Sequence, residues 1–131
     1  MKKNKGQIEA DISEAIIKFE KEYMGRGPEE TKTYIIDDML IVRLKRVLTP
    51  AEQQLAKSTE GATGRALVKQ IRAELIEKAM PLLNAVIAEI TGKKIISLHT
   101  DISTVTGERM IIFILDGSPL EQPDKAQYPN K

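Results

Sequence analysis

The chain has 131 residues, 20 Lys and Arg against 19 Asp and Glu for a net charge of +1, one His, and neither Cys nor Trp. That size suits one domain able to bury a core unaided. The missing Cys exclude disulfides and thiolate metal sites, the lone His excludes a His cluster, and the balanced charge leaves no global field for nucleic acid or anionic lipid. No apolar run approaches the ~20 residues of a membrane span, and Met1-Lys2-Lys3-Asn4-Lys5-Gly6 leads into an amphipathic segment and not a signal-peptide core, so a cytoplasmic α+β domain is expected.

Residues 1–6 read as a flexible basic tail. From Gln7 to Met24, Ile8, Ile12, Ala15, Ile16, Phe19 and Tyr23 step by three and four, which predicts an amphipathic helix with Glu9, Glu14, Lys18, Glu20 and Lys21 mostly on the solvent side. Gly25, Gly27 and Pro28 end it. Thr31–Ile36 and Met39–Val47 predict strands joined by a tight Asp37-Asp38 turn, and Leu40, Val42 and Leu44 alternate against Arg43 and Lys45. Thr49-Pro50-Ala51-Glu52 is a helix start with a capping box, which predicts a short helix to Lys57 and a loop over Ser58–Gly64.

Arg65–Thr91 is the longest periodic segment. Leu67, Ile71, Leu75, Ala79, Leu82, Val86 and Ile90 mark the expected buried face, and Pro81 predicts a kink or break. Gly92 is the expected cap. Lys94–Thr100 and Arg109–Leu115 predict two more strands around a Thr106-Gly107-Glu108 turn. The last is apolar on both faces, as suits a central strand covered on both sides or one that meets a partner. Residues 118–131 read as a flexible tail after a single domain over 7–117. The expected fold is α+β, in the order α-β-β-α-α-β-β: a four-stranded antiparallel sheet with two long helices on one face. A shift of 67 residues aligns Ile8 with Leu75, Ile16 with Leu83 and Gly25 with Gly92, the pattern of an internal αββ duplication.

Few residues carry chemistry. His99 and Asp101 share a strand face, where a His beside a carboxylate can exchange protons near neutral pH; a hydrogen-bonded structural His is the plainer alternative. Asp37, Asp38 and Glu108 sit in the two hairpin turns, where converging carboxylates would suit a hard cation, although acidic residues are common in turns and no calcium-loop spacing occurs. With Arg43 and Arg109 these residues form a candidate functional cluster for a small-molecule or ion sensor. Gly61-Ala62-Thr63-Gly64, followed by Arg65, Lys69 and Arg72, matches the GxxG loop with which KH domains clamp a nucleic-acid backbone. Against that alternative, the loop lacks an internal basic residue, Glu60, Glu74 and Glu77 dilute the charge, and no aromatic platform exists for bases. There is no P-loop, GxGxxG, nucleophile elbow or metal motif, so neither cofactor nor catalytic residues are expected.

Four stretches carry a family resemblance: Ile17–Gly27, Tyr34–Leu44, Leu48–Leu55 and Leu98–Arg109. Together they resemble the MpsC-like family of small bacterial proteins, named after a sodium-translocating, membrane-potential-generating system. The resemblance implies a soluble companion of a membrane cation or inorganic-carbon transport system and supplies no catalytic residues. The expectation is a non-enzymatic accessory or regulatory subunit, cytoplasmic or peripheral to the inner membrane face. Its partners would be protein, a second copy included, with no membrane insertion.

Overall fold

The computed structural model describes residues 3–57 and 61–120. The first helix, α1, spans Lys5–Met24. It begins two residues before the expected Gln7 because Asn4 caps it. The Asn4 side chain accepts from the Gln7 N–H at 2.8 Å, and the Gln7 side chain accepts from the Asn4 N–H at 3.0 Å. This reciprocal box satisfies donors that every helix start leaves unpaired. Ile8, Ile12, Ile16 and Phe19 are buried as expected. Glu20 is buried too, against the expectation of a solvent position.

Strands β1 (Glu30–Ile36) and β2 (Met39–Lys45) form the first hairpin, in which Asp37 takes a left-handed φ of 55° that Asp tolerates. Helix α2 runs over Pro50–Lys57 behind the expected capping box: the Glu52 N–H donates to Thr49 Oγ1 at 3.2 Å, and the Thr49 N–H donates to Glu52 Oε1 at 2.9 Å. The long periodic segment is two helices, α3 (Gly61–Lys78) and α4 (Met80–Thr91), broken at Ala79 with Pro81 in the first turn of α4. Proline there removes no helical hydrogen bond.

Two expectations for this segment are corrected. The Gly61–Gly64 stretch is not a loop: it is the first turn of α3, and a Cβ on Gly64 would lie 1.9 Å from the Leu55 carbonyl oxygen of α2. Gly64 therefore serves the close approach of two helices. The buried face is also shifted by one residue. Val68, Arg72, Ile76, Ala79, Leu83 and Ile87 are buried, whereas Leu67, Ile71 and Leu82 are more than 40% exposed. Both stripes step by three and four. The one that wins contains Arg72, which can be buried only because carboxylates meet it inside.

Strands β3 (Ile95–Ile102) and β4 (Arg109–Leu115) complete a four-stranded antiparallel sheet in the order β1-β2-β4-β3. A register irregularity between Ile95 and Ser97 re-phases β3 against β4. The α+β architecture with its antiparallel sheet is the expected one. The inner face of the sheet contributes Ile35, Leu40, Val42, Leu44, Ile111, Phe113 and Leu115 to a single core with α1, α3 and α4. The outward side chains of β2 and β4 all retain solvent exposure, so β4 is central in the sheet but fully buried on one side only.

Candidate functional site

Where the inner face of the sheet ends at Arg109, four charged side chains meet inside the core. Glu20 comes from the last turns of α1, Glu52 from the first turn of α2, Arg72 from the middle of α3 and Arg109 from the start of β4. Arg72 is the hub. Its Nη1 donates to Glu20 Oε1 at 2.9 Å, its Nε and Nη2 donate to Glu52 Oε2 and Oε1 at 2.9 and 2.8 Å, and Nη2 also reaches the Val47 carbonyl at 2.9 Å. Arg109 donates from Nη1 to Glu20 Oε2 at 3.1 Å and from Nε to Thr100 Oγ1 at 3.2 Å. All four side chains are almost wholly excluded from solvent.

Two carboxylates balance two guanidinium groups, so the buried charge sums to zero. The fork of Arg72 on Glu52 is the bidentate geometry that suits desolvated arginine. Burial works against the charged form of Arg72, yet the Glu52 and Glu20 carboxylates outweigh it and raise its pKa. Arg109 is lowered, first by burial and then by the like charge of Arg72, against the pull of Glu20. Burial pushes the Glu52 carboxyl up, but hydrogen bonds from Arg72 and Thr49 prevail and hold it below its ordinary value. Every oxygen of Glu20 and Glu52 already accepts a hydrogen bond. No base or metal ligand is free here, and the chemistry of the cluster is to tie α1, α2, α3 and β4 together.

The sheet's other face is different. Tyr34 and Ile36 from β1 and Ile96 from β3 are 43%, 47% and 65% exposed, and Ile41, Met110, Ile112 and Ile114 between them are half-buried. The result is an apolar centre with a charged end, where Arg43 Nε lies 2.5 Å from Glu108 Oε2 and Lys45 Nζ lies 3.6 Å from Glu30 Oε1.

A family model described as "Na+-translocating membrane potential-generating system (MpsC)" matches residues 4–117. The chain belongs to the MpsC family. It is 49% identical over 87 residues to "Uncharacterized protein YbcI" of Bacillus subtilis (strain 168), covering 66% of this chain and 68% of that protein. A second relative in the same organism, "Uncharacterized protein YrhF", is 33% identical over 67 residues, so the match spans about half of each chain. No solved structure matches.

In this MpsC-family chain the candidate cluster named from the sequence is spread over separate places. His99 and Asp101 share the outer face of β3, opposite Ile112 and Met110. Asp101 accepts from the Ile102 N–H at 2.8 Å and pairs with Lys69 at 3.2 Å, and these two contacts, the backbone one first, lower its pKa. Arg43 and Glu108 pair on the same face further in, where the Glu108 hydrogen bond raises the Arg43 pKa. Asp37 and Asp38 occupy the turn beyond Ile36 and Met39, at the opposite end of β2 from the Leu44–Arg109 pair, which separates them from Glu108 by roughly 20 Å. Arg109 points inward to Glu20. Among the described residues no group of three or more His, Asp or Glu is placed to hold a metal ion. Gly61 and Gly64 lie in α3, Arg65 lines a cleft, and Lys69 is taken by Asp101.

Sequence reasoning missed Glu20, Glu52 and Arg72 as a unit. The signal was present: Glu20 continues the Ile8-Ile12-Ile16 stripe, and Arg72 lies four residues from both Val68 and Ile76. A charge in the middle of an apolar stripe calls for an opposite charge in another stripe.

Proposed function

We propose that this MpsC-family chain is a non-enzymatic accessory or regulatory subunit that docks through protein surface, as a homodimer, at the cytoplasmic face of a membrane cation or inorganic-carbon transport system. The observation that carries this reading is the open outer face of the sheet. Tyr34, Ile36, Ile41, Ile96, Met110, Ile112 and Ile114 line it, and α1 and α4 pack into the core on the inner side. Contiguous apolar surface of this kind marks a place where protein meets protein. The family's description as a Na+-translocating membrane potential-generating system gives the reading its membrane context. Among the described residues no helix is long and apolar enough to cross a membrane, so the attachment proposed is to a partner and not through the bilayer.

Size-exclusion chromatography with light scattering, together with affinity capture from native membranes, tests the reading. The expected result is a two-chain mass and a co-retrieved membrane protein. A strictly monomeric protein that retrieves nothing overturns it.

A further inference from the structure

A cleft of about 530 Å³ opens beside the charge cluster, between the segments that follow α1 and β2, the end of α2, the start of α3 and the turn over residues 103–108. Among the described residues its lining includes Arg26, Arg46, Lys57 and Arg65 and none that is acidic. The chain has six arginines. Arg43, Arg46, Arg72 and Arg109 each pair with a carboxylate, at 2.5, 2.9, 2.8 and 3.1 Å respectively. The two that pair with none among the described residues, Arg26 and Arg65, both line this cleft, and Lys57 there is likewise without one. In a chain of net charge +1, this is positive charge set aside in one place.

Arg26 is also held still. Its Nε, Nη1 and Nη2 donate to the carbonyls of Gly27, Leu48 and Arg46 at 3.3, 3.0 and 3.2 Å. A guanidinium carries five N–H donors, so two remain for a guest in a fixed plane, the arrangement that recognises tetrahedral oxyanions. Arg46 adopts a left-handed φ of 57°, and the adjoining Val47 N–H is pinned to the Gly107 carbonyl at 2.9 Å. Thr104 and Thr106 add hydroxyls, and Leu48 and Ala56 add apolar wall. The volume falls within the ~300–1,000 Å³ of small-molecule sites.

We propose that this cleft binds a multiply charged phosphate compound of about nucleotide size, its phosphates held by Arg26, Lys57 and Arg65 and its organic part lying along Leu48 and Ala56. The site is distinct from the open sheet face, so it stands or falls separately from the docking reading.

Isothermal titration of the full chain at low salt, with inorganic pyrophosphate, adenosine triphosphate and a short single-stranded RNA as probes, tests the assignment. Binding of either small probe below about 1 mM, weakening as salt rises, supports it. Pyrophosphate binding as tightly as the nucleotide places recognition in the phosphates alone, while a tighter nucleotide adds the apolar wall. Lys57→Glu and Arg65→Glu alter exposed side chains with no partner to lose; each is expected to keep the melting temperature and weaken binding at least about tenfold. Lys32→Glu, on the sheet's outer face, is the control and is expected to leave binding unchanged. No small-molecule binding, binding by RNA alone, or equal loss in Lys32→Glu overturns the proposal.

Discussion

At the scale of single residues, Arg72 does the most. Its guanidinium satisfies two buried carboxylates from separate helices and the Val47 carbonyl at 2.9 Å. Removing it strands Glu20 and Glu52 in the core with part of their compensation gone. Arg72→Met, which keeps the length of the side chain and loses its charge, is expected to cost about 3–5 kcal/mol, read from urea unfolding. The same cluster sets a pH dependence. Glu52 has a folded pKa below its ordinary 4.5, so near that pH the folded chain binds fewer protons than the unfolded one. Its contribution is complete above about pH 4.5 and is lost as pH falls through the lower folded value. Unfolding midpoints measured from about pH 6 down to about pH 3 should therefore decline, and Glu52→Gln should flatten that decline.

At the scale of elements, α2 and α3 meet so closely at Gly64 that a Cβ would lie 1.9 Å from a backbone oxygen. Gly64→Ala gains helix propensity in isolation, yet it must push α2 away from α3 and disturb the hold of Glu52 on Arg72. A loss of about 1–3 kcal/mol in chemical unfolding is expected. The opposite sign would show that propensity outweighs the close approach. The caps and breaks were legible beforehand: the Thr49–Glu52 box, the interruption near Pro81, and the left-handed ends at Gly25 and Gly92 all depend on neighbours a few residues away. The Asn4–Gln7 box obeys the same local rule, and it draws Asn4, Lys5 and Gly6 out of the expected tail and into the helix start.

At the scale of the whole molecule, two αββ units, α1-β1-β2 and α4-β3-β4, stand on either side of α2 and α3 in the chain, and their inner strands, β2 and β4, pair at the centre of the sheet. Gly25 and Gly92, 67 residues apart, end their helices in the same conformation. The correspondence stops at the charge cluster: Glu20 falls on Ile87, and both are fully buried. One unit therefore packs through hydrocarbon where the other packs through ion pairs. The open face spans both units. Ile112→Glu, at its half-buried centre, is expected to shift a two-chain species to the monomer in light scattering while the thermal midpoint falls by only a few degrees, because the inner core is untouched. A dimer that survives the substitution would place the interface elsewhere.

The sequence by itself determined most of the helix and strand bounds, the Thr49–Glu52 box, the Gly25 and Gly92 ends, the break in the long segment, the α+β class and the family likeness. These rest on periodicity and on contacts between near neighbours. Only the tertiary structure decided which of two equally spaced stripes in residues 65–91 is buried, why Gly64 must be glycine, and that the candidate cluster named from the sequence is spread between the core, the outer face and a distant turn. The reason is that the cost of burying a charge depends on what meets it. Arg72 goes inside because Glu20 and Glu52, brought from far along the chain, are already there.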